Sequence, residues 1–441
     1  MEQRRKNLTQ LFIPICLETL LYMLSGMVDT LMLSSVNDQA VGAVGTANTY
    51  IGIFIIMFSV ISSGMVAVMT QNIGAGRPGV AYQARQLGLV FNAALGVIMS
   101  LFLSLGAGTI LSGVGVADAL MQPAKTYLQI VGGFCILNAL IPICSSYLRA
   151  FGFSKEPLYA SIIGNVINFC LNAFFLFVLH KGVAGVATAT VISRIINLVI
   201  VVLLGAVLVK AKQYPERESN RAVMGQIIRI GLPSACETAI YNVSMTLVIR
   251  FLNQMDAQGL NVTARSYTMQ ITNFSYCVGA ALAQANAIMT GWHIGAKEYD
   301  ACDRGTKKAA VIGVIVAVIL ETVFTLCSGW IMQLFSKDPQ MVSLVGKLLA
   351  IDIVLEIGRV TNLVYGQALK TSGDAVFPVV MGACFMILCS VGGTYLFGIR
   401  LGLLAVGAYI GMTGDECVRA VGMYLRWKSG KWKEKGLVKS R

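Results

Sequence analysis

Charge is what this chain has least of. Only 12% of its 441 residues are Asp, Glu, Lys or Arg, about half the share of a soluble domain. It holds two histidines, His180 and His293, too few and too far apart for a metal motif. Its eleven cysteines are scattered through apolar segments. That excludes a disulfide framework and leaves small hydrophobes inside helices. No Gly-rich phosphate loop or other nucleotide motif occurs, so no nucleotide supplies energy. No cofactor is expected. What the chain has instead is apolar length: 56% hydrophobic residues and a mean hydropathy of +0.72.

A bilayer span takes about 20 mostly apolar residues. Windows between charged or Gly/Pro-rich breaks give twelve, near 8–34, 43–72, 86–113, 124–149, 157–180, 184–209, 227–253, 262–290, 309–334, 342–369, 376–398 and 402–426. Arg4, Arg5 and Lys6 precede the first run. That run is long enough to span and lacks a small-residue cleavage site, so it reads as a span and not a cleaved leader. The net charge of +13 would suit nucleic acid, but its distribution argues otherwise. Most of the 34 Lys and Arg fall at the two ends and in the even-numbered loops. That asymmetry places both termini in the cytoplasm. The basic tail reads as a topology anchor and lipid-headgroup contact.

The first span carries two carboxylates, Glu18 and Asp29. Glu18, Tyr22, Ser25 and Asp29 are spaced four, three and four apart, so they form one polar stripe on a helix. Charged groups at bilayer depth face a bundle interior or a water cavity. The stripe recurs as Pro233, Glu237, Thr238, Tyr241 and Ser244, 219 residues after Pro14, Glu18, Thr19, Tyr22 and Ser25. It breaks at one place, where Asp29 is answered by Val248.

Other motifs repeat in the same order at an offset of 221. Ile73-Gly74-Ala75-Gly76 returns as Ile294-Gly295-Ala296-Lys297. Leu148-Arg149-Ala150-Phe151-Gly152, followed by Pro157, returns as Leu369-Lys370-Thr371-Ser372-Gly373, followed by Pro378. Each half has six spans, so both enter from the same side as parallel repeats. The expected fold is an all-α integral membrane protein, twelve transmembrane helices in two six-helix parallel-repeat bundles around a central cavity. The divisions are 1–209 for the N-terminal bundle, 210–224 for a cytoplasmic linker, 225–427 for the C-terminal bundle and 428–441 for the basic tail.

These motifs, with Gly26-Met27-Val28-Asp29-Thr30, Glu356-Ile357-Gly358-Arg359-Val360-Thr361-Asn362 and Asp415-Glu416-x-x-Arg419, resemble the multidrug and toxic compound extrusion (MATE) transporters over nearly the whole chain. The resemblance implies a secondary antiporter of the cell membrane. It would export amphipathic organic cations or drugs in exchange for H⁺ or Na⁺, most simply as a monomer.

By that resemblance Asp29 binds the coupling ion or proton, and Asn168, Asn172 and Thr190 complete its network. The residues agree: Asn165, Asn168 and Asn172 share one helix face. The offset of 221 answers Asn168 and Asn172 with Cys389 and Gly393, and an offset of 220 answers Thr190 with Ile410, so the polar set belongs to the first half alone. Some relatives have an acid where this chain has Asn172, and the choice between H⁺ and Na⁺ stays open. Glu18, Tyr22, Glu237 and Tyr241 are placed on the cavity walls, with capping of a proline kink as the other reading of the two acids. Asp352 is assigned to the second-half cavity. Glu356 and Arg359, three apart, read as an internal ion pair. A lipid-linked saccharide flippase would want a cavity rich in Arg and Lys. A channel would want symmetric rings, and a membrane enzyme would want clustered catalytic residues at the membrane edge.

Overall fold

A computed structural model describes residues 6–34, 38–113, 116–256, 259–333 and 335–438. The end of the basic tail, 439–441, lies outside the described residues. Twelve long helical segments follow one another, with no strand among the described residues. They are α1 (Leu8–Ser34), α2 (Asp38–Gly74), α3 (Pro78–Leu105), α4 (Asp118–Gly132 and Ile136–Ala150, bent by 43° between them), α5 (Lys155–Val178) and α6 (Gly182–Leu208). Then come α7 (Asn220–Met255), α8 (Leu260–Gly295), α9 (Tyr299–Leu326), α10 (Pro339–Ser372), α11 (Val376–Arg400) and α12 (Leu404–Lys428).

Seven of these, among the described residues, are long and apolar enough to cross a bilayer on that ground alone, and the bent α4 makes an eighth. The other four, α7, α8, α10 and α12, are interrupted by polar and charged residues such as Glu237, Arg265, Asp352, Arg359, Asp415 and Arg419. Such residues are tolerated at depth only when they satisfy one another.

Two spans, α3 and α9, begin furthest ahead of where their hydropathy predicts. The expected 86–113 is a helix from Pro78 to Leu105 followed by a short one, Ala107–Gly113. The expected 309–334 is Tyr299–Leu326 followed by Ser328–Met332. Arg85, Lys307 and Lys308 lie in the first turns of these helices, so charge marks the membrane edge there and not the helix end.

Contacts divide the chain inside α7, after Gly231. The stretch before α7 is held in the first unit. Arg77 Nη2 meets Glu218 Oε1 at 2.5 Å, and Gln83 Nε2 donates to the Glu218 carbonyl at 2.7 Å. The first unit's core joins α2, α3, α4 and α6, with Ala43, Ile51, Leu103, Leu128 and Ala187 at its centre. The second unit's core joins α7, α8, α10 and α12 through Val248, Ile271, Leu348, Leu355 and Tyr409.

The repeated motifs are helix-ending turns. Gly76 and Lys297, which match at the offset of 221, have φ of 73° and 61°; Gly152 and Gly373 have 86° and 99°. The left-handed region favours glycine, and Lys297 holds it at a cost of about 1–2 kcal/mol. The tail after α12 packs back on the second unit. Trp432 is buried, stacked on Trp427 with centroids 4.2 Å apart, and Trp427 Nε1 donates to Asp303 at 2.9 Å.

Candidate functional site

In the first unit α1 packs chiefly on α5, and this contact brings Asp29 to the asparagine face. Asn172 Nδ2 donates to Asp29 Oδ1 at 2.6 Å and to Asn168 Oδ1 at 3.2 Å. Asn168 and Asn172 are buried. Asn172 Oδ1 has no hydrogen-bond partner among the described residues, which leaves an oxygen for a further donor or a cation. Thr190 is buried on α6, and its hydroxyl donates to the Val186 carbonyl at 2.9 Å. Its lone pairs remain. Asn165 stands one turn before Asn168 and joins none of these bonds. One helical turn along α1, α5 and α6 lie Leu33, Leu176 and Val186. With Ala40 they form a buried apolar cluster that closes one end of the polar site.

Two residues of this site were not singled out from the sequence. Arg194, one turn after Thr190, is close enough for its charge to act on Asp29. The buried Tyr127 of α4 feels both. Arg194 carried the same signal as Asp29, a charge inside an apolar span. Tyr127 carried none.

Glu18 is paired. Arg149 Nη2 meets its Oε2 at 2.5 Å, with both side chains mostly buried. In the second unit Lys370 Nζ meets Glu237 Oε2 at 2.6 Å. The two pairs are repeat equivalents, so the stripe acid of α1 or α7 meets the basic residue of the repeated α4 or α10 motif. Tyr22 is exposed on α1.

Among the described residues the second unit has two half-open cavities of about 210 Å³ each, sharing Tyr241, Tyr276, Arg359 and Glu416 in their walls. One adds Asp352, Arg265, Asp415 and the methionines Met245, Met269 and Met412; the other adds Glu237 and Lys370. Arg359 Nη1 donates to Glu356, and its Nε lies 3.7 Å from Glu416 Oε1. Arg419 meets Asp415 at 2.8 Å and Glu416 at 2.9 Å; Asn362 Nδ2 donates to Glu416 at 3.0 Å. The expected Glu356–Arg359 pair is therefore one edge of a buried network spread over α10 and α12. The sequence reading named only part of it. Arg265, Glu321 and the α12 charges were legible as charges within spans.

Long helices in two repeated sets, with ionisable groups gathered inside each, define a multi-pass membrane transporter and not an enzyme. The chain belongs to the MATE family: the MatE family model matches residues 14–174 and 233–396. It is 34% identical over 431 residues to the uncharacterized transporter YisQ of Bacillus subtilis, covering 96% of this chain and 94% of that one. It is 23% identical over 446 residues, 98% of this chain and 94% of the relative, to the probable multidrug resistance protein NorM of Thermotoga maritima. A crystal structure described as MATE in the straight conformation superposes with a TM-score of 0.88 at 19% identity, covering 97% of this chain and 96% of that one.

Proposed function

We propose that this chain is an ion-coupled antiporter of the plasma membrane, with both termini cytoplasmic, that exports amphipathic organic cations in exchange for H⁺ or Na⁺. The observation that carries this reading is the hydrogen bond from Asn172 to Asp29, in a buried polar set that the second half lacks. A carboxylate inside a span, held by one amide and closed off by an apolar cluster, can exchange a proton. It can equally hold Na⁺ with neutral oxygens from Asn168, Asn172 and Thr190. Its charge state then changes the local field, and alternating access follows if the two states favour different openings.

The second-unit cavity supports a cationic substrate. Of the two cavities it is the one lined by Asp352 that favours a cation: its acids Asp352, Asp415 and Glu416 outnumber Arg265 and Arg359, whereas in the other Arg359, Lys370 and Arg419 outnumber Glu237 and Glu416. Met245, Met269, Met412, Tyr241 and Tyr276 offer soft and aromatic contacts that suit organic cations. A flippase for phosphate-bearing lipid would need the opposite balance.

Inside-out vesicles carrying the chain should accumulate a fluorescent organic cation when a proton or a Na⁺ gradient is imposed, each tested separately. No accumulation under either gradient, across several cationic dyes, would remove the antiport reading.

A further inference from the structure

Glu321 on α9 and Asp352 and Glu356 on α10 bring one carboxylate oxygen each to within 4.8 Å of one another. Their side chains are at most 2% exposed. Asp352 and Glu356 are four apart, so they stand one above the other on a single helix face, and Glu321 approaches from the neighbouring helix. Both oxygens of Glu321, Oδ2 of Asp352 and Oε2 of Glu356 lack a hydrogen-bond partner among the described residues. The buried Ser275 hydroxyl of α8 faces Glu321.

The local charge does not close. Beyond the self-contained pairs Glu237–Lys370 and Asp374–Arg426, the second unit buries five acids: Glu321, Asp352, Glu356, Asp415 and Glu416. Among the described residues three arginines, Arg265, Arg359 and Arg419, stand against them. With all five ionised, two negative charges would be in excess, and unbalanced charge at this depth is strongly disfavoured, so protons or a bound cation must offset it. Arg359 engages Glu356, yet leaves the other oxygen of that carboxylate free toward Glu321 and Asp352.

We propose that Glu321, Asp352 and Glu356 form a site for a hard divalent metal cation in the second half. Three oxygens within 4.8 Å of one another need to close by at most a few tenths of an ångström to touch one ion together at the usual calcium–oxygen distance of about 2.3–2.6 Å. All-oxygen donors select hard ions such as Ca²⁺ or Mg²⁺ over Zn²⁺ or copper, and a double charge matches the excess of two. Asp352 also lines the cavity wall beside Arg265 and Tyr241, which gives the ion a route in. The site is separate from the Asp29 set, and occupancy of one is measured independently of the other.

The test is calcium and magnesium binding to the purified full-length protein in lipid nanodiscs, by isothermal titration with Na⁺ as the comparison ion. One Ca²⁺ or Mg²⁺ should bind per chain. Glu321→Gln and Asp352→Asn, each keeping side-chain shape, should weaken it at least about tenfold. Size-exclusion profiles matching wild type show that either variant is folded. Asp29→Asn should leave the binding unchanged, so failure here and failure of the coupling assignment read out separately. Absence of divalent binding, binding of Na⁺ alone, or equal divalent affinity in both folded carboxamide variants would overturn the proposal.

Discussion

Asp29 and Val248 sit at matching places in two copies of one helix, and the proposed function puts the coupling ion in the half that keeps the acid. Around Asp29 the second copy has also lost Asn168, Asn172 and Thr190 in favour of Cys389, Gly393 and Ile410. An acid without such partners is poorly solvated. Removing the one amide that touches Asp29 is therefore informative. Asn172→Ala deletes a hydrogen bond to a charged group, worth about 1.5–3 kcal/mol. The apparent affinity for the coupling ion, read from transport against external pH or Na⁺, should weaken about 10- to 100-fold while expression is unchanged. The pair Glu18–Arg149 makes a different demand. Glu18→Gln removes the negative charge that meets Arg149 and should lower thermal stability in detergent by a few kcal/mol. The exchange Glu18→Arg with Arg149→Glu should recover part of that loss, and no recovery would show that the pair acts other than by charge.

At this scale the sequence was most legible where a charge stood in an apolar run. Asp29, Asp352, Glu356 and Arg359 announced themselves that way. The partners did not. Nothing in the spacing says that the α1 acid meets Arg149, 131 positions away, because only packing decides which motif faces which stripe. Cavity lining was equally hidden. Met245, Met269 and Tyr276 reach a cavity wall, and nothing in their spacing marks them out from the other methionines and aromatics of the chain.

The elements show where physical pattern and helix boundary part company. Hydropathy located twelve spans, yet α3 and α9 begin about two turns before their apolar stretch, since a helix continues into the interface once its backbone is paired. The repeat made the error symmetrical: Pro78 and Tyr299, like Leu105 and Leu326, differ by the same 221 positions. Close helix contacts carry the second-half network. At Gly358 of α10 an added Cβ would stand 2.8 Å from the Cys417 nitrogen and 2.9 Å from the Glu416 carbonyl carbon on α12. Backbone cannot yield there as a side chain does. Gly358→Ala should push α12 away from α10 and cost about 1–3 kcal/mol. It should also loosen the Arg359–Glu416 contact, which a double-mutant cycle with Glu416→Gln would register as reduced coupling between those two charges. A thermal midpoint equal to wild type would mean that the helices have room to separate.

For the whole molecule, class and repeat were readable because both rest on averages over many residues: low charge, twelve apolar runs and motifs at a fixed offset. The proposed orientation, with both termini cytoplasmic, rests on the distribution of lysine and arginine and the positive-inside rule. Single cysteines at 215 and 435 on a cysteine-free background should react with a membrane-impermeant reagent only from the cytoplasmic side, and one at 38 only from outside. Labelling of 435 in sealed cells would reverse the topology.

The coupling claim at Asp29 is tested most directly by separating driven transport from binding in one variant. Asp29→Asn keeps size and hydrogen bonding while removing the group that carries charge. Reconstituted into liposomes, it should bind a fluorescent organic cation with nearly wild-type affinity, yet fail to concentrate it under either an imposed proton or Na⁺ gradient. Val248→Asp added to this background should not restore the driven transport. Gradient-driven accumulation by Asp29→Asn at a rate near wild type would contradict the account.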